Sequence, residues 1–311
     1  MKPLKYLFIS SMLFVATSCG NSWLDLEPST SVDTETSIKI LSDVEFTLNG
    51  IYSTMQSSDA YSGRLVYYGD VTGDDMQAVS STKRVANYYR FNFTKDDNPS
   101  SHWSYLYSII QNCNLILMNI DKLAIDEEDK AYRDDLKGEA LAIRGLALFD
   151  LTRIFGYPYL KDNGASLGVP IIEGLSTIDS KPTRNTVAQC YTKIIDDLTQ
   201  SISLLGEKFN KGKINKWGAM VLLSRVYLYK GENANALKMA GDAITGAEKN
   251  KYALWTNEDY PTAWGEDASA SKPGEVLFEI VNLTTDSPGK ESMGYLNSYD
   301  GYDDMCITCS F

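Results

Sequence analysis

The stretch "NKWGAMVLLSRVYLYKGENANALKMAGDAITGAE", Asn215–Glu248, decides the fold. Apolar residues recur at helical spacing on both sides of Gly231, with Tyr227 and Tyr229 before it and Ala236, Leu237, Ala240, Ala243 and Ile244 after it. Glycine is the residue best suited to end one helix and turn the chain into the next. The stretch therefore reads as two consecutive helices, with Trp217 opening the first as a core residue.

As a pair, these helices resemble a tetratricopeptide unit, whose small and aromatic positions let two helices nest. Such units stack so that each buries its neighbour's apolar face, and the rest of the chain supplies further helices. "LKGEALAIRGLALFDLTRIF", Leu136–Phe155, places Ala140, Ile143, Ala147, Leu151 and Ile154 on one face and stops at Gly156 with Pro158 beyond. "SKPTRNTVAQCYTKIIDDLTQSISLL" is another helix with Thr186 as its N-cap. Trp103 to Ile120 keeps the same period, and a first helix runs from Asp43, with Asp43 or Ser42 as cap and Val44, Leu48, Ile51 and Met55 on its apolar face. The charged run Asp121–Asp135 is a turn and solvated face, "NGASLGVPIIEG" a loop, and Glu275–Val281 a strand-like run. The expected class is mainly all-α: tetratricopeptide-like helical repeats over 136–250, with long irregular loops and a few short strands.

Two segments break the helical pattern. Residues 57–101 carry Gly63, Gly69, Gly73 and Pro99 among Tyr61, Tyr67, Tyr68, Tyr88, Tyr89, Phe91 and Phe93. A long irregular segment this aromatic reads as an ordered, functional loop insertion. Tyr295–Asp304, "YLNSYDGYDD", mixes tyrosines with amides and acids in the same way. Flat aromatic faces flanked by carboxylates, amides and arginine suit sugars, whose C–H surfaces stack while their hydroxyls hydrogen-bond. The candidate ligand-binding residues are Tyr67, Tyr68, Asp70, Asp74, Tyr88, Arg90, Tyr295, Asn297, Tyr299 and Tyr302. For each of them loop packing is the competing reading.

The N-terminus reads as a secretory leader: Lys2 and Lys5, an apolar run Leu7–Val15, and the small residues Ala16-Thr17-Ser18 before Cys19. The run is too short to span a bilayer, which takes about 20 apolar residues. Small residues before a cysteine resemble a bacterial lipobox, with Ala16 in place of the usual leucine. Cleavage after residue 18 would leave Cys19 acylated, and two or more chains anchor stably where one does not. Residues 19–40 then form an extended spacer. Losing residues 1–18, which carry two lysines and no acids, takes the formal charge from −12 to −14. A chain this acidic lacks the basic footprint of a nucleic-acid binder.

Of the other cysteines, Cys113 and Cys190 lie on apolar helical faces and read as core residues; Cys306 and Cys309 form a C-x-x-C that is incidental or a local disulfide. A zinc site needs about four ligands, and none is expected; nor is any cofactor. Catalysis is not expected either. His102 is the only histidine, no serine sits in a nucleophile elbow, and no phosphate-binding glycine loop occurs. Asp74-Asp75 is a solvated loop pair rather than the spaced carboxylates of a glycosidase. Arg144 and Arg153 are structural, with Asp150 or Glu139 as ion-pair partners, and Trp103 belongs to the core.

Taken in order, Cys19 with "WLDLEP", "GEALAIRGLALFDLTRIFGYPYL", "GVPII", "PTRNTVAQCYTKIIDDL", "KINKWGAMVLLSRVYLYKG" and "PGEVLFEI" resemble the SusD/RagB family of outer-membrane glycan-binding lipoproteins. The resemblance implies a helical scaffold with irregular ligand loops over 41–311, residues 251–311 being part of a C-terminal ligand-loop region. It further implies a lipid-anchored, surface-exposed outer-membrane protein that captures oligosaccharide, without cleaving it, for a TonB-dependent SusC-like transporter. The family has no invariant sugar-binding motif to carry over. Its members are longer, so Phe311 marks a truncated gene, a fragment or a compact natural ending. The alternative function is a helical-repeat interaction protein that docks on the transporter or binds peptide without binding glycan.

Overall fold

The computed structural model describes residues 37–73, 75–93, 100–177, 179–207, 209–210, 212–263, 274–283 and 285–308. The leader, Cys19, most of the spacer, Asp74 and Cys309 lie outside them. In chain order the elements are α1 (Leu41–Met55), α2 (Arg64–Thr72), β1 (Met76–Ala78), α3 (Ala86–Tyr89), α4 (Ser100–Asn119), α5 (Lys130–Phe155) and α6 (Val187–Leu204). They continue with α7 (Lys216–Lys230), α8 (Asn233–Lys249), α9 (Tyr260–Ala263), α10 (Met293–Asn297) and β2 (Met305–Ile307).

One core joins α1, α4, α5, α6 and α7. Helix α5 is its axis: every residue from Gly138 to Thr152 is buried, as expected of a helix enclosed on all sides. Its glycines set the distance to α6. A Cβ on Gly145 would lie 3.1 Å from Leu198 Cγ, and one on Gly138 would lie 2.8 Å from Leu205 Cγ. Thr186 caps α6, its hydroxyl accepting from Gln189 N at 3.2 Å while Gln189 Oε1 accepts from Thr186 N at 2.8 Å. At the start of α1 the cap works differently from the sequence expectation. Ile40 precedes the helix, and the Asp43 carboxylate reaches back to accept from Lys39 N at 2.8 Å and Ile40 N at 3.0 Å.

Burying α5 on all sides encloses its polar side chains, so each needs a partner. Arg144 does not pair with Glu139 or Asp150. Its Nε and Nη2 donate to both oxygens of Asp197 on α6, at 2.8 and 2.6 Å, and Nη1 donates to Asn114 on α4 at 2.9 Å. Asn114 Nδ2 in turn donates to the carbonyls of Ile172 and Gly174, fixing the loop after α5. Arg153 does pair with Asp150. Glu139 meets a phenol instead: Tyr52 on α1 donates to Glu139 Oε2 at 2.7 Å and accepts from Ile214 N at 3.0 Å.

The helix pair of the opening stretch closes on a small core of Trp217, Met220, Ala243 and Ala247. Asn215 caps α7, its side chain accepting from Trp217 N and Gly218 N, and Gly231 turns the chain with φ +83°. Trp217 lies 5% exposed against α8, where a Cβ on Gly246 would stand 2.0 Å from its ring. Gly246→Ala is therefore expected to force the pair apart and cost about 1–3 kcal/mol, read as a lower thermal midpoint. An unchanged midpoint would mean the indole has room to move. Helix α8 buries Ala236, Ala243 and Ala247, while Leu237 and Ile244 remain exposed.

Two expectations about segments are corrected. Residues 57–101 are not one irregular loop, because α2, β1 and α3 lie within them. The run Glu275–Val281 forms no ladder; Phe278 and Ile280 pack on the main core, and Leu277 O accepts from Asn215 Nδ2 at 2.6 Å, so side-chain packing holds it. The paired strands are β1 and β2. Among the described residues no helix is long and apolar enough to cross a membrane.

Candidate functional site

The two aromatic segments, far apart in sequence, meet in space. β1 and β2 pair antiparallel with Met76 opposite Ile307, Gln77 opposite Cys306 and Ala78 opposite Met305. Outside that ladder, Val79 N donates to Asp304 O at 3.3 Å and Thr308 N to Asp75 O at 3.2 Å. Beneath lies a second small core of Tyr67, Val71, Val85, Tyr88, Leu296 and Met305. Arg84 locks the two segments from the side: its guanidinium sits 4.1 Å from the centre of the Tyr302 ring and 3.4 Å from the buried Asp304 carboxylate. Lys83 Nζ donates to Tyr302 O.

Within this arrangement the candidates divide by exposure. Tyr67 and Tyr88 are each 1% exposed and are pillars of the small core, with no ring face free for a ligand. Burial pushes the Tyr67 phenol up to about 12 and raises that of Tyr88 further. Tyr68 is half-buried, and burial raises its phenol too. Asp70 and Arg90 are exposed, and Asp74 is outside the described residues. Tyr295 and Tyr302 are half-buried and meet edge to face at 5.2 Å. Asn297 Nδ2 donates to Met293 O at 2.9 Å, leaving its buried Oδ1 without a partner. Tyr299 stands 89% exposed.

Rings missing from the candidate set complete the surface. Phe91 packs edge-on to Phe93 at 6.3 Å, and Phe93 in turn reaches Tyr88 at 6.0 Å and Tyr68 at 6.3 Å. Phe91 is 62% exposed, and Tyr89 and Phe93 are exposed beside it. The result is a continuous aromatic ladder whose inner rungs are buried and whose outer rungs face water, with Arg90 alongside. Two of its flanks carry strained backbone: Phe91 at φ +53° and Asp303 at φ +48°. Bulky residues rarely adopt that region, and such strain gathers at binding sites. The signal for Phe91 and Phe93 was present in the sequence as two phenylalanines directly after "YYR", where burial by helical period had already ended.

Chemically, exposed rings beside a guanidinium and carboxylates can stack on the C–H face of a hydroxylated ligand and bind its hydroxyls.

Known proteins agree with this architecture. Residues 22–228 match the profile of a family described as "Starch-binding associating with outer membrane". A proposed sugar binding protein from Bacteroides vulgatus ATCC 8482, known from its crystal structure, is 82% identical and superposes with a TM-score of 0.86 over 89% of this chain and 62% of its own. A SusD superfamily protein from the same organism is 37% identical, with a TM-score of 0.80 over 88% of this chain and 62% of its own. SusD-like protein P2 of Formosa agariphila is 28% identical over 97% of this chain, which spans 57% of that relative's length.

Proposed function

Because the chain belongs to the SusD/RagB family, we propose that it is a non-catalytic, lipid-anchored protein of the outer-membrane surface that binds oligosaccharide and hands it to a TonB-dependent transporter. The observation that carries this reading is the exposed end of the aromatic ladder, Phe91 and Phe93, with the exposed Tyr89 and Arg90 directly before them in the chain, held on a buried core built from both candidate segments. Tyr299 and Asp70 are further exposed candidates on the same two segments. Tyr67 and Tyr88 support the face from below, and Cys19 is the tether.

Glycan binding is tested by titrating the protein with starch, β-glucan and xylan oligosaccharides. Phe91→Ala is expected to weaken binding by about tenfold, or about 1.4 kcal/mol, while leaving the thermal midpoint unchanged. Equal affinity of the variant would remove the ladder from the site. Release of reducing sugar would replace the binding role by a hydrolase.

A second reading has an observation of its own. Leu228, Leu237, Ile244 and Leu254 are exposed around α7 and α8, 58–84% accessible, as on an interaction surface. A glycan array that stays silent, with transporter co-purification retained, favours a docking protein that binds no sugar.

A further inference from the structure

A cleft in two parts runs along the C-terminal half of α1. The first part, of about 190 Å3, lies between Asn49, Tyr52, Ser53 and Gln56 on the helix and Ile280 and Val281 opposite, with Lys213 also on its wall. The second, of about 290 Å3, shares Ser53, Gln56 and Asp286 with the first and continues past Asn282 to Pro288 and Glu291. Together the two parts reach the size of small-molecule sites, about 300–1,000 Å3.

The sequence builds both walls. Asn49, Ser53 and Gln56 stand at helical spacing and share one face of α1, while Val44, Leu48, Ile51 and Met55 bury the other. Opposite, Ile280 packs on the main core. Gln56 Nε2 joins the walls where the two parts meet, donating to Val281 O and, at 3.3 Å, to Asp286 Oδ2. The Tyr52 ring is fixed from behind, because its hydroxyl is held by Glu139 and by Ile214 N.

The lining selects a ligand class. Amides, hydroxyls and a carboxylate alternate with a ring and aliphatic side chains, the mixture that binds sugar hydroxyls and covers sugar C–H faces. The cations along the route are already paired: Lys213 lies 3.5 Å from Glu45, and Arg84 lies 3.4 Å from Asp304 and 3.9 Å from Glu291. Asp286 meets the Gln56 amide and no cation among the described residues. An acidic sugar would therefore bring its carboxylate toward Asp286 and Glu291, and like charges placed together reject a partner. Glu291 also joins the cleft to the aromatic face. It lines the second part, and the Arg84 it approaches stands 4.1 Å over the Tyr302 ring.

We propose that the cleft is an extension subsite for the end of a neutral oligosaccharide whose other units lie on the aromatic face. The inference rests on the glycan-binding reading of that face and adds two properties to it. Long chains bind more tightly than short ones, and uncharged chains more tightly than acidic ones.

The test is calorimetric titration with tri- and hexasaccharides of starch, β-glucan and xylan, and with oligogalacturonate as the acidic counterpart. The hexasaccharide of the glycan that binds is expected to be about tenfold tighter than its trisaccharide. Ser53 is an exposed position common to both parts of the cleft. Ser53→Trp is expected to remove the long-chain gain while leaving trisaccharide affinity and the thermal midpoint at the parent values. Should the helix not tolerate the ring, alkylating folded Ser53→Cys with a bulky maleimide, beside wild-type protein treated likewise, makes the same block. A long-chain gain that survives the block, or no gain in the parent, overturns the cleft and leaves the aromatic face as the glycan site. Oligogalacturonate bound as tightly as the neutral hexasaccharide overturns the preference for uncharged chains. Binding of no chain at all removes the face and the cleft together.

Discussion

Arg144→Met is expected to lower the unfolding free energy by about 3–5 kcal/mol, more than the glycine contact at Gly246. The reason is what remains behind. Asp197 is fully buried and takes both guanidinium hydrogen bonds; without them its carboxylate keeps only Lys193 Nζ, at 3.3 Å. Asn114 loses its donor as well, and with it one hold on the loop at Ile172 and Gly174. Urea titration at neutral pH measures the loss as a lower midpoint at unchanged slope. Arg144→Lys is expected to fare little better, because an ammonium cannot make the two parallel bonds and also reach Asn114. The double variant Arg144→Met with Asp197→Leu recovers most of the stability, since no buried charge is stranded. If the single variant were nearly neutral, Lys193 alone would be neutralising the site.

The second large effect depends on pH and comes from Glu139. Its carboxyl is 4% exposed, and burial is the chief cause that lifts its pKa from 4.5 to about 7, against the pull of Lys213 and the Tyr52 hydroxyl. A raised carboxyl pKa means that the folded protein holds its proton where the unfolded chain has released it. The contribution to stability is therefore complete below pH 4.5, declines as pH rises, and is lost above about pH 7. That interval corresponds to roughly 3 kcal/mol. Glu139→Gln can still accept from Tyr52 and carries no charge, so it is expected to be more stable than the parent by about 2–3 kcal/mol at pH 8 and near parity at pH 4.5. Denaturant midpoints of both proteins at several pH values give the difference curve. A difference independent of pH would show that Glu139 titrates as an ordinary carboxyl.

Much of the scaffold was legible because helices announce themselves locally. The period in Leu136–Phe155, the Thr186 cap and Gly231 at the turn are each written within a few residues, and each has its counterpart in the structure. What escaped reading is non-local. The partner of Arg144 lies 53 residues along the chain, and the nearer acids Glu139 and Asp150 on the same helix offered false alternatives. Strands of three residues carry too little alternation to be recognised, so the pairing of β1 with β2 had no local sign. The tyrosine pairs show the same limit at the site. In Tyr67-Tyr68 and in Tyr88-Tyr89 the first residue is buried and the second is half-buried or exposed. Composition marks both members equally. Only the helix rotation between neighbours, fixed once α2 and α3 dock on Leu296 and Met305, separates a pillar from a platform.

The short ladder from Met76–Ala78 to Met305–Ile307 also dictates an order of events during synthesis. The rings of α2 and α3 leave the ribosome some two hundred residues before their cover, so that half of the proposed binding face must wait with its apolar side open. Closing so long a loop would be slow for a bare chain. The intervening helices share one core of their own, and once folded they shorten the loop that the last join must close. The face built from α2, α3 and β2 accordingly forms only when its two halves, distant in sequence, have met.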